Sequence, residues 1–117
     1  MSRTVFKIFR LAEWRDFTEA GEFSGSPNDV RDGFIHLSLA EQVEATLEKH
    51  FTKETDIVLA AFEVDRLGAT LKYERSRGGE LFPHLYSKLT KNGLNAWARI
   101  TRRQAGFELP DWCRPDV

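Results

Sequence analysis

Residues 57–64, with the sequence IVLAAFEV, constrain the fold more than any other part of the chain. Residues 57–62 are an unbroken apolar run, which is the composition of a β-strand that is covered on both faces. Such a strand lies in the middle of a sheet, because packed layers must cover both of its sides. The run therefore predicts a layered domain built around one central strand.

Further elements are predicted from local patterns on either side of this run. Strands are predicted where the sequence is apolar or alternates between apolar and polar residues, at 5–9, 70–74 and 94–101. Helices are predicted at about residues 11–20 and 39–51, where apolar residues recur at helical spacing. Together these elements predict an α+β fold: one compact domain with a split sheet, mixed or antiparallel, and two main helices.

Length, charge and cysteine content narrow the functional classes. The 117 residues fit one domain, and 17 Lys plus Arg against 18 Asp plus Glu give a net charge of -1, so no overall field attracts nucleic acid. Only residues 99–103, which contain three arginines, offer a local basic patch. The single cysteine, Cys113, forms no internal disulfide, and the chain has neither a signal-peptide pattern nor a run of about 20 apolar residues. We expect a cytoplasmic protein without membrane contact.

The first candidate site segment is GFIHLS, residues 33–38, which follows a turn-rich stretch at 21–33 that is predicted to be a loop. His36 and Ser38 share one side of the predicted strand, and Ser38 with Glu41 forms a capping-box pattern for the next helix. A strand side chain beside free helix amides suits a phosphate or ribose. His36 and Ser38 are therefore candidate ligand-binding residues, with a packed histidine and a helix cap as the ordinary alternatives.

The second candidate segment is RGGELFPHLY, residues 77–86, predicted to be a structured loop with one helical turn that begins at Pro83. Paired glycines permit close backbone approach, and three different polar groups follow them. The candidates that it contributes are Gly78, Gly79, Glu80, His84 and Tyr86. Tyr73 and Glu74 precede the segment in LKYE, so Glu74 competes with Glu80 for any acid-base or ribose-binding role.

These segments also carry a family resemblance. Together with VFKI, AEW, EQVEATLEKHF and DIVLAAFEVDRLG, the segments DGFIHLS and LKYERSRGGELFPHLY resemble the family called domain of unknown function 952 (DUF952). The resemblance covers about residues 4–100 and leaves a polar and aromatic tail at about 104–117. That family is distantly similar in fold to ADP-ribosyltransferases and RNA 2'-phosphotransferases, which hold NAD or an ADP-ribosylated intermediate in the cleft of a split sheet.

The resemblance implies roles for particular side chains. His36 and Ser38 would lie in the nucleotide cleft, and a carboxylate near the ribose would stabilise an oxocarbenium-like centre. The candidates for that acid are Glu80 and Glu74, and those for stacking on a flat ring are Tyr73 and Tyr86. The first strand departs from the transferase pattern, because Lys7 stands where such enzymes often carry His or Arg, and lysine binds phosphate only as a point charge.

Three functions remain open at this point. The first is an ADP-ribosyl or phosphotransfer enzyme that uses NAD or a related nucleotide. The second is a noncatalytic ligand-binding or regulatory module with the same cleft. The third is a zinc or iron site built from His36, His84 and either Glu80 or Asp32, because imidazole and carboxylate jointly hold these metals.

Overall fold

Antiparallel strands interrupted by helices make up the chain, and the computed structural model describes residues 3–113. Within that part the strands are β1 (Thr4–Arg10), β2 (Glu22–Phe23), β3 (Ile35–His36), β4 (Asp56–Glu63), β5 (Leu71–Arg75), β6 (Leu81–Leu85), β7 (Leu89–Thr90), β8 (Leu94–Arg103) and β9 (Gly106–Phe107). The helices are α1 (Leu11–Ala20), α2 (Pro27–Asp32), α3 (Ala40–His50) and α4 (Val64–Leu67). The predicted α+β class is confirmed, as are the two main helices. None of these helices is long and apolar enough to cross a membrane.

The strands form three sheets. The main sheet has the order β1-β4-β8-β9, a second has the order β3-β6-β5, and β2 pairs with β7. Every described pairing is antiparallel, which decides between the mixed and antiparallel alternatives. Strand β4 lies between β1 and β8, and its residues 57–62 are buried, as the IVLAAFEV run predicts. A bridge between Phe6 and Ser38 joins the outer edge of β1 to the segment that follows β3.

The main sheet separates two apolar clusters, because successive strand side chains point to opposite faces. On one face, Val5 and Phe9 of β1 pack with Phe17 of helix α1. On the other face, Phe6 and Ile8 pack with the buried side of helix α3. Helices α1 and α3 therefore cover opposite faces of the sheet that β4 centres.

Residues 21–33 are not the loop that their composition predicts. They contain β2 and helix α2, whose first residue is Pro27, a position where the missing N–H costs nothing. Ser26 and Asp29 cap this helix reciprocally: the Asp29 amide donates to Ser26 Oγ (3.2 Å), and the Ser26 amide donates to Asp29 Oδ2 (2.8 Å). The turn-forming residues of this stretch thus begin and end a short helix.

The capping box predicted for α3 is wrong. The residue that reaches back is Gln42 and not Glu41, since Gln42 Oε1 accepts from the Leu39 amide at 2.9 Å. The Ser38 amide and carbonyl instead pair with Phe6, at 2.9 and 2.8 Å. The N-cap residue of the helix is Leu39, so Ser38 precedes the helix and does not cap it.

The helical turn predicted at Pro83 is also wrong, because Pro83 lies in β6. Its carbonyl accepts from the Leu37 amide at 3.1 Å, just beyond the end of β3. The amide and carbonyl of a strand residue point to the same side, so the missing N–H of Pro83 faces a position where β3 has ended. A proline fits there without removing a ladder hydrogen bond.

The segment predicted as a polar and aromatic tail packs against the main sheet as far as it is described. Strand β9 pairs with the end of β8, and Trp112 stacks on Phe6 with ring centroids 6.3 Å apart. Cys113 is buried, and this burial raises the pKa of its thiol to about 11. Residues 114–117 of the predicted tail lie outside the described residues.

Candidate functional site

A cavity of about 430 Å³ opens beside the outer edge of β1. Residues of β1, α2, β3 and α3 line it, together with side chains from the β5–β6 region. Its volume lies in the range of sites that bind small molecules and cofactors. Its lining includes the charged and imidazole side chains of Lys7, Asp29, Asp32, His36 and His84.

A buried ion pair forms one wall of the cavity. Lys7 Nζ lies 3.0 Å from Asp29 Oδ2, and the two side chains are only 6% and 2% exposed. The same ammonium donates to the His36 carbonyl at 3.1 Å. Charged groups are rarely buried without partners, because desolvation of an unpaired charge costs several kcal/mol. These contacts therefore fix β1 against α2 and β3.

Asp29 accepts hydrogen bonds at both oxygens. Its Oδ2 accepts from Lys7 and the Ser26 amide, and its Oδ1 accepts from the His36 amide (3.0 Å) and His36 Nδ1 (2.6 Å). Burial raises the pKa of Asp29, but the His36 hydrogen bond and the Lys7 charge outweigh it and hold that pKa well below its usual range. The carboxylate is thus ionised, and its acceptor positions are filled. Asp29 can orient other groups, but it has no oxygen to spare for a ligand.

Gly25 makes room for this carboxylate. Its φ is 123°, and a Cβ at this position would lie 2.8 Å from the Cβ of Asp29. Both the backbone conformation and the contact exclude an ordinary side chain. Gly25 is therefore a packing requirement of the Asp29 network.

His36 lies between two carboxylates. Its Nδ1 is 2.6 Å from Asp29 Oδ1, and its Nε2 is 2.9 Å from Asp32 Oδ2. Because carboxylates only accept, only the imidazolium form of His36 donates to both. Hydrogen bonding to Arg31 holds the pKa of Asp32 below its usual range, which keeps that second acceptor ionised. The His36 side chain is 38% exposed, so a ligand in the cavity can reach it.

His84 forms a second histidine–carboxylate pair. Its Nδ1 lies 2.8 Å from Glu74 Oε1, and the Tyr86 hydroxyl donates to the same oxygen at 2.7 Å. The hydrogen bonds from Tyr86 and His84 hold the pKa of Glu74 below its usual range. An ionised Glu74 requires the proton on Nδ1 of His84, which leaves Nε2 as the lone-pair nitrogen of the neutral ring.

The two histidines face each other across a strand pair. His36 of β3 is the direct partner of His84 of β6, so their side chains share one face, and the ring centroids are 5.8 Å apart. The Phe34 ring packs against both, with centroid distances of 4.6 Å to His36 and 3.9 Å to His84. Each imidazole is thus oriented by its own carboxylate and supported by one shared aromatic ring.

Comparison with known proteins places this architecture in a family. Residues 8–96 match the family described as "Protein of unknown function (DUF952)". The chain belongs to this family. The crystal structure of protein CC0527 from Caulobacter crescentus is 40% identical in sequence, with a TM-score of 0.87 over 94% of this chain and 97% of that chain. The solution NMR structure of CC0527 gives a TM-score of 0.79 over 91% of each chain. No curated protein matches the chain.

The cavity of this DUF952 protein brings together some of the residues predicted from the sequence. His36, Ser38 and His84 line it, and Ser38 Oγ lies 3.5 Å from Thr46 Oγ1 of α3. Glu74 and Tyr86 do not line it but join it through His84. The family resemblance to ADP-ribosyltransferases stays a prediction.

Other predicted residues lie elsewhere. Among the described residues, those absent from the cavity wall are Tyr73, Gly78, Gly79 and Glu80. Gly78 and Gly79 have positive φ and form the tight connection between β5 and β6. Glu80 is exposed, and the Tyr73 hydroxyl is buried without a hydrogen-bond partner in the part of the chain that is described. These four residues connect or support the strands that carry Glu74 and His84.

Sequence reasoning missed Asp29 altogether and noted Lys7 only as a departure from the transferase pattern. The pattern Ser26-x-x-Asp29 is itself a capping-box sequence and could have indicated a helix at 27–32. Nothing local, however, connects Asp29 with Lys7, which is 22 residues away in sequence. The buried pair becomes visible only in three dimensions.

The structure also bears on the metal site and on the basic patch that were considered from the sequence. Between residues 3 and 113, no group of three or more His, Cys, Asp or Glu side chains is arranged to hold a metal ion. In the arginine-rich stretch 99–103, Arg102 donates to the Phe51 and Glu54 carbonyls at 2.7 and 3.0 Å, and Arg99 pairs with Asp56 at 3.5 Å. These two arginines therefore hold the end of β8 in place.

Proposed function

We propose that this DUF952 protein binds a small anionic ligand of the nucleotide class, such as NAD or an ADP-ribose-like molecule, in the cavity beside β1. The observation that carries the proposal is the lining of this cavity. It includes the buried Lys7 ammonium, further cationic side chains and aromatic rings. The nucleotide class comes from the family resemblance, and the charge and shape of the cavity support it.

Cationic groups are suitably placed for a phosphate. Lys7 has three protons to donate, and the structure uses two of them, on Asp29 and the His36 carbonyl, so one remains for a ligand oxygen. Lys49 adds positive charge at the cavity wall, where Arg31 is paired with Asp32. Such groups bind phosphate through charge-assisted hydrogen bonds, which are about twice as strong as neutral ones.

Aromatic rings provide a surface for a flat base. Phe6, Phe51 and Phe82 line the cavity, so the stacking role predicted for Tyr73 or Tyr86 passes to phenylalanine side chains in this proposal. Aromatic faces pack on planar rings in offset or edge-on geometry. A base would pack on the ring surfaces that Arg10, which lies 4.5 Å over Phe51, and Trp112, which stacks on Phe6, leave uncovered.

The acid of an ADP-ribosyl transfer is the weakest part of the family expectation. Glu80 is exposed away from the cavity wall, and Glu74 is bonded to His84 and Tyr86. We therefore propose binding as the primary property. An enzyme and a noncatalytic module would share this ligand and would differ only in turnover.

Isothermal titration calorimetry with AMP, ADP-ribose and NAD tests the proposal. We expect at least one of them to bind, with an affinity that falls as salt rises. Lys49→Gln should weaken binding about fivefold, because it removes roughly 1 kcal/mol of charge-assisted interaction. Lys53→Gln is the matched control, since Lys53 is exposed and does not line the cavity. Absence of binding for all three ligands at millimolar concentration would refute the proposal.

A further inference from the structure

We propose that His36 and His84 form a general acid–general base pair that hydrolyses a phosphodiester bond of a ligand held in this cavity. This inference rests on the proposed function, because a phosphodiester of the nucleotide class, such as a nucleoside cyclic phosphate, would need the nucleotide-binding cavity proposed above. It adds a reaction class, a role for each histidine and a role for the two carboxylates behind them.

The hydrogen-bond partners assign the roles. His36 has a carboxylate at each ring nitrogen, which only the imidazolium satisfies, so His36 is the proton donor. His84 has one carboxylate, at Nδ1, so its neutral ring carries the lone pair on Nε2 and can accept a proton there. One ring that donates a proton and one that accepts a proton are what an acid–base pair requires.

The placement of the rings fits action on one substrate. The two histidines are direct cross-strand partners, both line the cavity, and their centroids are 5.8 Å apart. A phosphoryl group in the cavity that contacts both rings would have one imidazole near the attacking oxygen and the other near the leaving oxygen. Lys7, which donates to the His36 carbonyl, lines the same cavity.

Asp32 marks where the leaving oxygen would lie. Its Oδ2 is 2.9 Å from His36 Nε2, in the place that the leaving oxygen must occupy to receive a proton. Asp32 is the last residue of α2, and its side chain is 32% exposed. A bound substrate would displace this carboxylate, which stays paired with Arg31.

The proposed step balances without any oxidant or metal. A water oxygen bonds to phosphorus while His84 Nε2 removes one of its protons. The bond between phosphorus and the leaving oxygen breaks, and His36 Nε2 gives that oxygen its proton. The products are a phosphate monoester and an alcohol, and proton exchange with solvent restores both histidines.

Two substrates with different leaving groups separate the two roles. Adenosine 2',3'-cyclic phosphate releases a ribose hydroxyl, which needs a proton, whereas bis(4-nitrophenyl) phosphate releases a stable nitrophenolate, which does not. His84→Gln should lower kcat about 100-fold on both substrates. His36→Gln should lower kcat about 100-fold on the cyclic phosphate and less than about tenfold on the nitrophenyl ester.

The carboxylates are positioning residues in this scheme. Glu74→Gln should lower kcat and displace the limb of the pH profile that reports the base, while Glu41→Gln, an exposed change on α3, should alter neither. The charged and titratable groups that face the pair include Lys7 of β1, Asp29 and Asp32 of α2, Lys72 and Glu74 of β5, and Tyr86. In the native protein, the pH profile of kcat/KM should be bell-shaped, because the proposed step requires a protonated His36 and a neutral His84.

The outcomes distinguish this inference from the proposed function. Binding of AMP without hydrolysis of either substrate overturns the acid–base assignment and leaves the binding proposal standing. Failure of both binding and hydrolysis overturns both. Equal losses for His36→Gln on the two substrates overturn its role as the acid. Because His84 is buried, each variant is checked by circular dichroism, and if His84→Gln does not fold, a native profile without two limbs would overturn the pair.

Discussion

The two histidine–carboxylate pairs have the same chemistry and opposite burial. In the first pair the carboxylate of Asp29 is 2% exposed and His36 is 38% exposed, whereas in the second Glu74 is 40% exposed and His84 only 5%. A buried carboxylate must have all its hydrogen bonds made within the protein, while an exposed one can exchange them with water. The buried carboxylate of the first pair therefore has a structural role that the exposed carboxylate of the second pair lacks.

The contacts of the two carboxylates show the same difference. Asp29 receives hydrogen bonds from β1, from β3 and from the start of its own helix. Within the described part of the chain, the Glu74 carboxylate accepts hydrogen bonds from His84, its near neighbour in the adjacent strand, and from Tyr86 just beyond that strand. Asp29 thus connects separate parts of the fold, and Glu74 adjusts a local geometry.

The largest expected difference between the pairs is in stability. Asp29→Ala should lower the free energy of unfolding by about 3–5 kcal/mol, because it leaves the Lys7 ammonium buried without its partner. Glu74→Ala should have a much smaller effect, since water replaces its hydrogen bonds. Urea unfolding of both variants measures the difference, and equal losses would show that burial does not distinguish the pairs.

A smaller loss in the free energy of unfolding is expected when the pH is lowered. Because the pKa of Asp29 is lower in the folded protein than in the unfolded chain, its contribution is present above about pH 4 and is lost as the pH falls through the folded value. This loss should be of the order of 2 kcal/mol. Unfolding followed between pH 5 and pH 2 tests it, with Asp29→Asn as the comparison, in which this part of the pH dependence should disappear.

The smallest effect is expected at the exposed carboxylate. Tyr86→Phe removes the main hydrogen bond that lowers the pKa of Glu74, so that pKa should rise towards its ordinary value. NMR titration of the Glu74 side chain measures the change, and the thermal midpoint should hardly move. An unchanged pKa would mean that His84 alone holds the carboxylate in its ionised form.

Much of the fold could be predicted because its signals are local. The apolar run 57–62 predicted the central strand, and helical spacing predicted α1 and α3. The role of Ser38 and the strand at Pro83 could not be predicted, because each depends on partners far along the chain, whereas helix α2 has a local capping pattern that a loop-like composition obscured. Ser38, for example, pairs with Phe6 across 32 residues, and that pairing overrides its capping pattern.

The sequence indicated which residues could form the candidate site, but not which of them contact each other. His36, in a predicted strand, and His84, in a predicted loop, were both candidates by residue type, and both line the cavity. Their opposing positions follow from strand register, which a single sequence does not specify. Asp29 was hidden for a different reason: its Gly, Ser, Pro and Asn neighbours have the composition of a loop, although they cap a helix.

The Lys7 contacts with Asp29 and the His36 carbonyl also bear on the order in which the chain folds. They span 22 and 29 residues, so each closes a long loop, and closing such loops costs entropy before their contacts can form. We expect these interactions to form after the rate-limiting step. A ligand bound at this network would then prolong the lifetime of the folded protein by slowing unfolding, and it would leave the refolding rate nearly unchanged.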